Sequence, residues 1–542
     1  MKKKIHFNKF SFLIFFTGAV VLSLELLASR ILTPFFGVSL YIWTSILSIT
    51  LIFLAAGYQF GGWITSKINS VYYEELFLFI PFISAIFILI STAIYPMVLP
   101  KLISLNLLIG SFIGSLILLS VPLVLMSALN PILISIVKLK NNKSKDSYSG
   151  FVFFISTLGS VFGVIFTALV IIPNFTNFSS YILNAISLIL LNLIVYFLIG
   201  YNSFKYLRKI FILLNIILLL TLAGLYKFKE NYLSFFTSKK DINGNEFIVI
   251  YEKPSFYGNL KVVGYKEKND ENISRYILYQ NGFTQNTIDI KGRSLNNYIH
   301  VLNSLSEFSE KGNALILGFG AGILPKLLKE NFFRVDVVEI DPNTLDIALR
   351  YFNYDKEFAN IFFEDARTFV KKCNKKYNLI IIDLFFADGV PEHLTTKEFY
   401  NNLNKCISAN GILITNSVAD FSNDETLKSV LSTFNSVFNK VYYFYDKEFM
   451  KTSNIKTANL YILATNKEKL KNSNIKLDKI PNKVKPRVIA TLKNMKKFKN
   501  TEESKKFILI DEKNNYSHLF SKSMSLFRKL ISNSIPSRIL IN

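Results

Sequence analysis

The sequence predicts an N-terminal polytopic α-helical membrane bundle, then a small β region, then an α/β domain with a Rossmann-like, doubly wound sheet. Apolar residues are concentrated in the first 225 positions of the 542-residue chain, and short β-like runs follow them. From residue 314 onwards, continuous apolar strands alternate with helices, which is typical of a mostly parallel sheet. The predicted domains are residues 1–230, 231–300 and 301–470, followed by a basic C-terminal tail, 471–542.

The bundle is predicted from about seven stretches that are long and apolar enough to cross a bilayer. The first is too long, and too closely followed by others, to be a cleaved signal peptide. The lipid bilayer is therefore a predicted partner of this chain. The stretches cover roughly residues 10–36, 40–64, 75–99, 105–137, 150–173, 178–199 and 207–225.

The elements after the bundle can be predicted in order along the chain. The runs EFIVIYE, NLKVVGY and RYILYQ indicate strands, and NGF indicates a turn. Strand ALILGF, helix LPKLLKE, strand RVDVVEI and helix NTLDIALRYF then alternate, and Asp341-Pro342 opens the last of these. The runs NLIIID, GILITN, VYYFYD and NLYILAT complete the predicted sheet.

Charge and cysteine content add weaker constraints. The net charge is +24, and Lys467–Asn542 carries 19 Lys and Arg against 6 Asp and Glu. Such a tail lies on an anionic leaflet or is simply solvated. No recognition module accompanies the charge, so nucleic-acid binding is not predicted. Cys373 and Cys406 provide neither a disulfide framework nor a cysteine zinc site, and we expect two buried thiols and no metal.

A nucleoside site is predicted at the carboxyl ends of the strands, where doubly wound sheets bind ligands. Gly318, Gly320 and Gly322 end the first strand and allow close approach of backbone to a ligand. Glu339 ends the second strand, where an acid can accept both ribose hydroxyls. Asp365 follows IFFE, where it can accept from an adenine amino group. This pattern fits NAD as well as S-adenosylmethionine.

The sequence resembles the spermidine synthase family, specifically its membrane-fused branch. The soluble resemblance covers about residues 250–466 and is strongest in VVEIDP, EDAR and IIDLFFADGVPEHLTTKEFY. The segments LELLASRILTPFFGVSLYIWTSIL and STLGSVFGVIFTALVIIP look like that branch's membrane region. The resemblance implies a β region on a methyltransferase-type core. It also implies S-adenosylmethionine or its decarboxylated form as the substrate, with methylthioadenosine as a product and no metal.

The resemblance also implies roles for individual residues. Glu339 would hold the ribose and Asp365 the adenine, while Asp383 matches the first Asp of the family's catalytic segment. An amine that attacks carbon must be unprotonated, so a nearby carboxylate can accept its proton. The other candidates are Gln285 and Ala366 near the nucleoside, and Tyr257, Tyr298 and Asp388 in the substrate region.

Several positions depart from the family's pattern. Ala321 stands where the glycine turn normally carries an Asp that binds the cofactor's amine, and Phe386 stands where a second acid is usual. Gly258 replaces a glutamine, and Ile299-His300 replaces a His-Glu pair. Polyamines are polycations, and buried ammonium groups need anionic partners. We therefore expect intact S-adenosylmethionine as the cofactor and an acceptor other than a polyamine.

Three functions follow from these observations. The first is a membrane-anchored spermidine synthase-like transferase. The second is an S-adenosylmethionine lyase or methyltransferase on the same fold. The third is a nucleoside-sensing membrane transporter, which is disfavoured because few polar residues and no clear repeat occur in the bundle. The sequence is compatible with a monomer and with a homo-oligomer.

The side of the membrane on which the soluble domain lies is predicted from the loops and from the cofactor. Basic residues in short loops mark the cytoplasmic side and place the N-terminus inside. Seven simple crossings would then put the soluble domain outside, which conflicts with a cofactor made in the cytosol. We expect a cytoplasmic domain on a bacterial cytoplasmic membrane, with 105–137, which contains Pro122 and Pro131, as the segment that does not cross simply. The basic residues are Lys2, Lys3, Lys4, Lys9, Lys138, Lys140, Lys143, Lys145, Lys205, Arg208 and Lys209.

Overall fold

The chain forms two compact units in the computed structural model. The first comprises Met1–Lys239, Pro254–Phe256 and Ile535–Asn542, and the second comprises Lys240–Lys253 and Tyr257–Ser534. Each unit has its own hydrophobic core. The structure describes residues 2–37, 40–141, 147–199, 207–385, 390–421, 424–453, 456–468, 470, 477–499, 501–519 and 534–542.

The first unit is built from long apolar helices. Within the described residues, seven helical segments have the length and hydropathy of a membrane span, in agreement with the predicted number. Crossing of a membrane stays a prediction. A π-helical turn, Thr167–Ile171, separates α5 from α6. The helices are α1 Lys2–Phe36, α2 Leu40–Lys67, α3 Tyr73–Leu102, α4 Leu107–Asn141, α5 Ser147–Phe166, α6 Ile172–Asn174, α7 Asn177–Ile199, α8 Leu207–Lys227 and α9 Lys229–Phe236.

Helix α4 contains the segment that the sequence marked as unusual. It is one helix of 35 residues that continues through Pro122 and Pro131. A proline inside a helix removes one backbone hydrogen bond and usually bends the helix without ending it when neighbouring helices support it. The segment therefore is not divided into two shorter pieces.

Glycines allow close helix packing in the bundle. A Cβ at Gly159 of α5 would collide with the carbonyl of Phe15 in α1, and one at Gly163 would collide with Ala19. Small residues at such spacing let helix backbones approach each other closely. The same unit includes Pro254–Phe256, because Arg30 of α1 donates hydrogen bonds to the carbonyls of Ser255 and Phe256 at 2.7 and 2.8 Å.

The second unit begins with a four-stranded antiparallel sheet. Its strands are β1 Glu246–Lys253, β2 Leu260–Lys266, β3 Arg275–Gln280 and β4 Phe283–Asp289, in the order β1-β2-β3-β4. The three β-like runs of the sequence are the first three strands. The NGF turn is a two-residue hairpin, because Asn281 and Gly282 both have positive φ and connect the paired residues Gln280 and Phe283.

The second sheet has eight strands in the order β12-β10-β11-β9-β8-β5-β6-β7. The five strands from β9 to β7 run parallel, while β11, β10 and β12 extend the sheet antiparallel. The chain order reverses between β5 and β8, which makes the ends of these two strands the switch point. The strands are β5 Asn313–Leu317, β6 Arg334–Glu339, β7 Asn360–Phe363, β8 Tyr377–Ile382, β9 Ile407–Asp420, β10 Lys440–Tyr445, β11 Thr457–Thr465 and β12 Lys496–Lys497.

Helices cover both faces of this sheet, as the alternating pattern predicts. Two separate apolar cores lie on its two faces, one including Ile316 and Ile381 and the other Leu317 and Ile382. The helices are α10 Asn297–Leu305, α11 Ile323–Glu330, α12 Asn343–Tyr351, α13 Ala366–Lys371, α14 Lys397–Cys406, α15 Asp424–Asn435, α16 Lys447–Ser453 and α17 Lys485–Lys493.

The compact units do not follow the predicted boundary at residue 471. Helix α17 and strand β12 belong to the second unit, in which β12 pairs with β10. The last residues join the first unit: α18, Ser537–Leu540, contains Arg538, which pairs with Glu230 at 2.7 Å. The carbonyl of Asn542 accepts the Phe178 N–H at 2.8 Å. The basic composition of residues 471–542 therefore gave no sign of the apolar side chains that are buried within this segment.

The two cysteines correct a prediction from the sequence. Cys373 and Cys406 form a disulfide, with their Cα atoms 5.9 Å apart, so the expectation of two free thiols is wrong. Cys373 lies just after α13 and Cys406 ends α14, and these two helices pack against each other. Helix packing brings together residues that are 33 positions apart, and composition cannot reveal this.

Candidate active site

The glycine turn joins β5 to α11 in a backbone conformation that requires glycine. Gly318, Gly320 and Gly322 have φ of 98°, 57° and 74°, a region that side chains with a Cβ rarely adopt. A Cβ at Gly318 would also collide with the carbonyl of Asp383. The turn therefore lies directly against the end of β8. The predicted nucleoside-binding turn and the predicted catalytic residue, Asp383, are neighbours in the folded chain.

Glu339 ends β6 beside this turn. Its carboxylate accepts the N–H groups of Phe319 at 3.0 Å and Asp341 at 2.8 Å. Burial raises the pKa of Glu339, and these backbone hydrogen bonds oppose the rise. The side chain is only partly buried. The two N–H groups thus fix the carboxylate while leaving lone pairs for hydroxyl donors such as those of a ribose.

Asp365 has a structural role at the start of a helix. It is the N-cap of α13, and its Oδ1 accepts the N–H and the hydroxyl of Thr368 at 2.8 and 3.0 Å. Its Oδ2 lies 3.8 Å from Nε2 of His393. Ala366, the next residue, is buried in the core. Oδ2 is therefore the Asp365 atom that is best placed to accept a hydrogen bond from a ligand. The buried side chain of Ala366 is not placed to contact a ligand.

Asp383 follows β8, and its environment is built from neutral amides. Its N–H donates to Leu317 at 2.9 Å, and its Oδ1 accepts from Nδ2 of Asn416 at 3.0 Å. Asn459 in turn donates to Oδ1 of Asn416 at 2.9 Å, which fixes the orientation of the Asn416 amide. Burial raises the pKa of Asp383 to about 6, and the Asn416 hydrogen bond lowers it. A carboxyl with this pKa can exchange a proton near neutral pH.

Asn286 connects the β region to the glycine turn. Its Oδ1 accepts the Ala321 N–H at 2.6 Å, and its Nδ2 donates to the Tyr298 hydroxyl at 2.9 Å. That hydroxyl donates to the Gln285 carbonyl at 2.8 Å. Burial, and then the charge of Asp383, raise the pKa of Tyr298. The Tyr298 side chain is thus a neutral phenol near Asp383. Gln285 contacts this phenol through its backbone carbonyl and not through its side chain.

Tyr257 lies close to the nucleoside residues. Burial raises the pKa of its phenol, and the carboxylates of Asp341, Asp365 and Glu339 raise it further. This electrostatic coupling groups Tyr257 with Glu339 and Asp365. Asp388 and Phe386, named in the sequence, lie outside the described residues.

Two of the family departures have structural explanations here. The ring of His300 is buried and its Nε2 lies 2.9 Å from the Ser294 carbonyl, while burial lowers the pKa of this imidazole. Gly258 has φ of 134°, and a Cβ there would press on the Asn281 side chain. Both positions therefore serve the local fold. Among the described residues, no group of three His, Cys, Asp or Glu side chains could hold a metal ion.

Sequence reasoning missed Asn286, Asn416, Asn459 and His393. Asn416 lies on β9 beside the end of β8, so its place near the strand ends was a usable signal. Asn286 is next to the predicted Gln285, but its side chain faces the glycine turn from another sheet, and only the folded structure reveals this.

Part of the second unit is similar to known proteins. Residues 298–473 match the family model described as the spermine/spermidine synthase domain. A polyamine aminopropyltransferase of Vibrio vulnificus is 35% identical over 136 residues, which are 24% of this chain and 44% of that protein. Polyamine aminopropyltransferase 2 of Aquifex aeolicus is 32% identical over 208 residues, which are 35% of this chain and 41% of that protein.

Among solved structures, a probable spermidine synthase from Corynebacterium glutamicum is 18% identical to this chain. It covers 48% of this chain and 92% of its own, with a TM-score of 0.37. The chain spans less than half the length of the two curated relatives. Residues 298–473 are therefore similar to the spermine/spermidine synthase domain and to polyamine aminopropyltransferases.

Proposed function

We propose that this chain is an integral membrane, spermidine synthase-like enzyme that acts on S-adenosylmethionine or its decarboxylated form. The enzyme moves or releases the aminopropyl-type group and leaves methylthioadenosine. The observation that carries this proposal is the position of Asp383, whose backbone lies against Gly318 at the switch point of the sheet. Ligands of doubly wound sheets bind at this point.

The chemistry of transfer fits a carboxyl with a raised pKa. An acceptor amine attacks the carbon next to the sulfonium sulfur, so a C–N bond forms and the C–S bond breaks. The sulfur leaves as a neutral thioether, and the amine loses a proton. Asp383, with a pKa of about 6, is ionised at neutral pH and can accept that proton.

The nucleoside portion would be held by the neighbouring residues. Glu339 would accept from the ribose hydroxyls, because its carboxylate is already oriented by two backbone N–H groups. Oδ2 of Asp365 would accept from the adenine amino group. The charges of both carboxylates raise the pKa of Tyr257, so its phenol would stay neutral beside the ligand.

A second candidate reaction is cleavage of intact S-adenosylmethionine, in which the cofactor's own carboxylate attacks. A C–O bond forms, the C–S bond breaks, and a lactone and methylthioadenosine result without release of a proton. Ala321 supports this candidate, because its fully buried methyl group puts no repulsive anion beside the carboxylate that only the intact cofactor carries. Its N–H is already bonded to Asn286, so a cofactor carboxylate would need other donors. Methyl transfer to another acceptor is the third use of the same site.

The experiment uses the full chain purified in detergent. Each cofactor form is incubated with and without putrescine, and methylthioadenosine and spermidine are measured by liquid chromatography. We expect methylthioadenosine from at least one form, and at least a hundredfold less from Asp383→Asn, on the scale of lost general base catalysis. Asp346→Asn, an exposed Asp paired with Arg350, is the matched control.

The products distinguish the candidates. Spermidine formed only from the decarboxylated form would contradict the use of intact S-adenosylmethionine. Methylthioadenosine formed from intact cofactor without any acceptor would support the lyase. Binding of nucleoside without turnover, equally strong in Asp383→Asn, would contradict the enzyme and favour the transporter or sensor.

Membrane insertion is part of the same proposal. The spans Tyr41–Lys67, Tyr148–Asn174 and Lys209–Lys227 are only 33%, 22% and 22% buried within the chain, although all are apolar. Large apolar surfaces of this kind need a lipid or protein partner. We propose that the bilayer covers them. The chain should therefore remain with membranes after alkaline carbonate extraction, and its release into the supernatant would contradict insertion.

A further inference from the structure

A segment near the C-terminus, Leu509–Ser517, is held within the second unit by contacts near both of its ends. Leu509 and Tyr516 are buried in the core beside the sheet. The Leu509 carbonyl accepts the Lys397 N–H at 2.9 Å, and the Leu509 N–H donates to the Thr433 hydroxyl at 2.9 Å. The segment therefore has a defined course, which we call the C-terminal strap.

The strap holds the loop Pro391–Thr396, which follows the segment that begins with Asp383. Nδ2 of Asn514 donates to the Glu392 carbonyl at 2.8 Å and to the Thr395 hydroxyl at 3.1 Å. The Ser517 N–H donates to the Glu392 carboxylate at 3.0 Å. These three hydrogen bonds connect one side of the loop to the strap.

Arg367 connects the other side of the loop. Its Nη1 donates to the His393 carbonyl at 2.7 Å, and its Nη2 forms an ion pair with the Asp511 carboxylate. The Arg367 side chain is 14% exposed, so this pair is partly shielded from solvent. The hydrogen bond from Arg367 is the largest cause of the lowered pKa of Asp511. One guanidinium thus links the loop, the strap and helix α13.

These contacts determine what stands beside Asp365. Arg367 lies two residues after Asp365 at the start of α13. The His393 ring lies 3.8 Å from Oδ2 of Asp365, the oxygen that the helix cap does not use. Moving the loop would therefore change the surroundings of the oxygen that faces the adenine in the proposed site.

We propose that Asp511 and Arg367 are positioning residues that hold the loop Pro391–Thr396 beside Asp365 and thereby set the affinity for the nucleoside portion of the substrate. This inference rests on the proposed function. A loop that is already ordered loses less entropy when a ligand binds, so the strap raises affinity without touching the reacting atoms. The binding of nucleoside, and not the chemical step, is the property that depends on it.

The test measures binding of methylthioadenosine to the full-length protein in detergent by calorimetry. Asp511→Asn and Arg367→Gln should each weaken binding about tenfold, the size of one charge-assisted hydrogen bond. The double variant should bind no more weakly than Arg367→Gln alone, because the Asp511 carboxylate acts on the loop through the Arg367 guanidinium. Asp511→Glu should restore most of the affinity. The turnover number at saturating cofactor should stay within about twofold of wild type.

The matched control is Glu330→Gln, which removes an exposed ion pair with Lys479 and should leave affinity unchanged. Hydrogen exchange of residues 391–396 should rise in Asp511→Asn and not in the control. Unchanged affinity in both positioning variants, or independent additive effects, would overturn the inference alone. A wild-type protein that binds neither methylthioadenosine nor either cofactor form would overturn the proposed function and this inference with it.

Discussion

Asp383 lies at the end of a strand and accepts a hydrogen bond from an amide side chain, and these two features determine the pKa of its carboxyl. Its carboxyl has a raised pKa of about 6 because hydration is lost, and one amide donor opposes the rise. If it accepts the proton of an acceptor amine, it must be ionised to act. We expect kcat/KM for amine-dependent turnover to rise with pH through an acidic limb near 6. A pH–rate profile without that limb would argue for the proton-free lyase reaction.

Asn416 provides a sharper test of the same carboxyl. Its Nδ2 donates to Asp383, which stabilises the ionised form. Asn416→Ala should therefore move the acidic limb of the pH–rate profile to higher pH. Asn459→Ala is the matched variant, because Asn459 contacts Asp383 only through Asn416, and its shift should be smaller. An unmoved limb in Asn416→Ala would mean that another group titrates.

The raised pKa of Asp383 also predicts a stability effect. The folded state binds the proton more tightly than the unfolded state between the ordinary pKa of 3.8 and about 6. The contribution of Asp383 to stability is therefore lost as pH rises through this window. Asp383→Asn should raise the free energy of unfolding by about 1–2 kcal/mol at pH 8, less than the full shift because the carboxyl keeps some solvent contact.

Thermal unfolding at pH 8 and pH 5 would measure this effect. The gain of Asp383→Asn over wild type should shrink at pH 5, where the carboxyl is largely protonated. Asp346→Asn should show no comparable gain at either pH, because Asp346 is exposed on α12. A gain that is equal at both pH values would contradict the assigned titration.

Single residues also show how far sequence reasoning reaches. Glu339 could be predicted because an acid at the end of a buried parallel strand has a known place in the fold. Asp383 was predicted only through the resemblance of its segment to the spermidine synthase family. Asn286 and Asn416 could not, because an Asn carries no comparable pattern and its role depends on which side chain it meets. Ala321 was recognised as a departure, but the bond from its N–H to Asn286 appears only in the folded chain.

At the level of elements, the glycine turn is where the backbone conformation and the position of the proposed catalytic residue depend most directly on each other. Gly318→Ala combines a positive φ with a collision against the Asp383 carbonyl. The positive φ alone costs about 1–2 kcal/mol, and the collision must also displace Asp383. We expect a lower Tm and at least a tenfold lower rate of methylthioadenosine formation, the effect of a misplaced catalytic group.

Gly244→Ala is the matched control for that variant. Gly244 has φ of 84°, but a Cβ there would meet only the flexible Lys268 side chain at 3.3 Å. Gly244→Ala should lower Tm, because it creates a similar backbone strain. The rate of methylthioadenosine formation per folded molecule should stay near that of wild type. Equal losses of rate in both variants would show that Gly318 matters for stability alone.

The elements that could not be predicted are those that depend on distant partners. Most strands of both sheets could be predicted, because period and apolar runs are local signals. Strands β4 and β7 were not predicted from the sequence. Strand β12 has two residues and is a strand only through pairing with β10. The Cys373–Cys406 disulfide likewise depends on how α13 and α14 pack, and the strap has no local pattern that marks its contacts with Glu392.

At the scale of the whole molecule, the side of the membrane is where the observations disagree. The basic loops and seven simple spans favour a soluble domain outside the cell. A disulfide is also more common outside the reducing cytosol. The proposed cofactor is made in the cytosol, and a site for it is of use only where it is supplied. We keep the expectation of a cytoplasmic domain and derive a direct test from it.

The test introduces single cysteines after replacing Cys373 and Cys406 by Ser. Lys479→Cys replaces an exposed side chain of the second unit. Ser70→Cys lies between the second and third predicted spans, on the predicted side of the N-terminus, and Asn106→Cys lies at the start of the fourth predicted span, on the opposite side. In intact cells, a membrane-impermeant maleimide should label Asn106→Cys and leave Lys479→Cys and Ser70→Cys unlabelled until the membrane is opened. Labelling of Lys479→Cys from outside would place the domain outside, and its nucleoside would then have to come from exported cofactor.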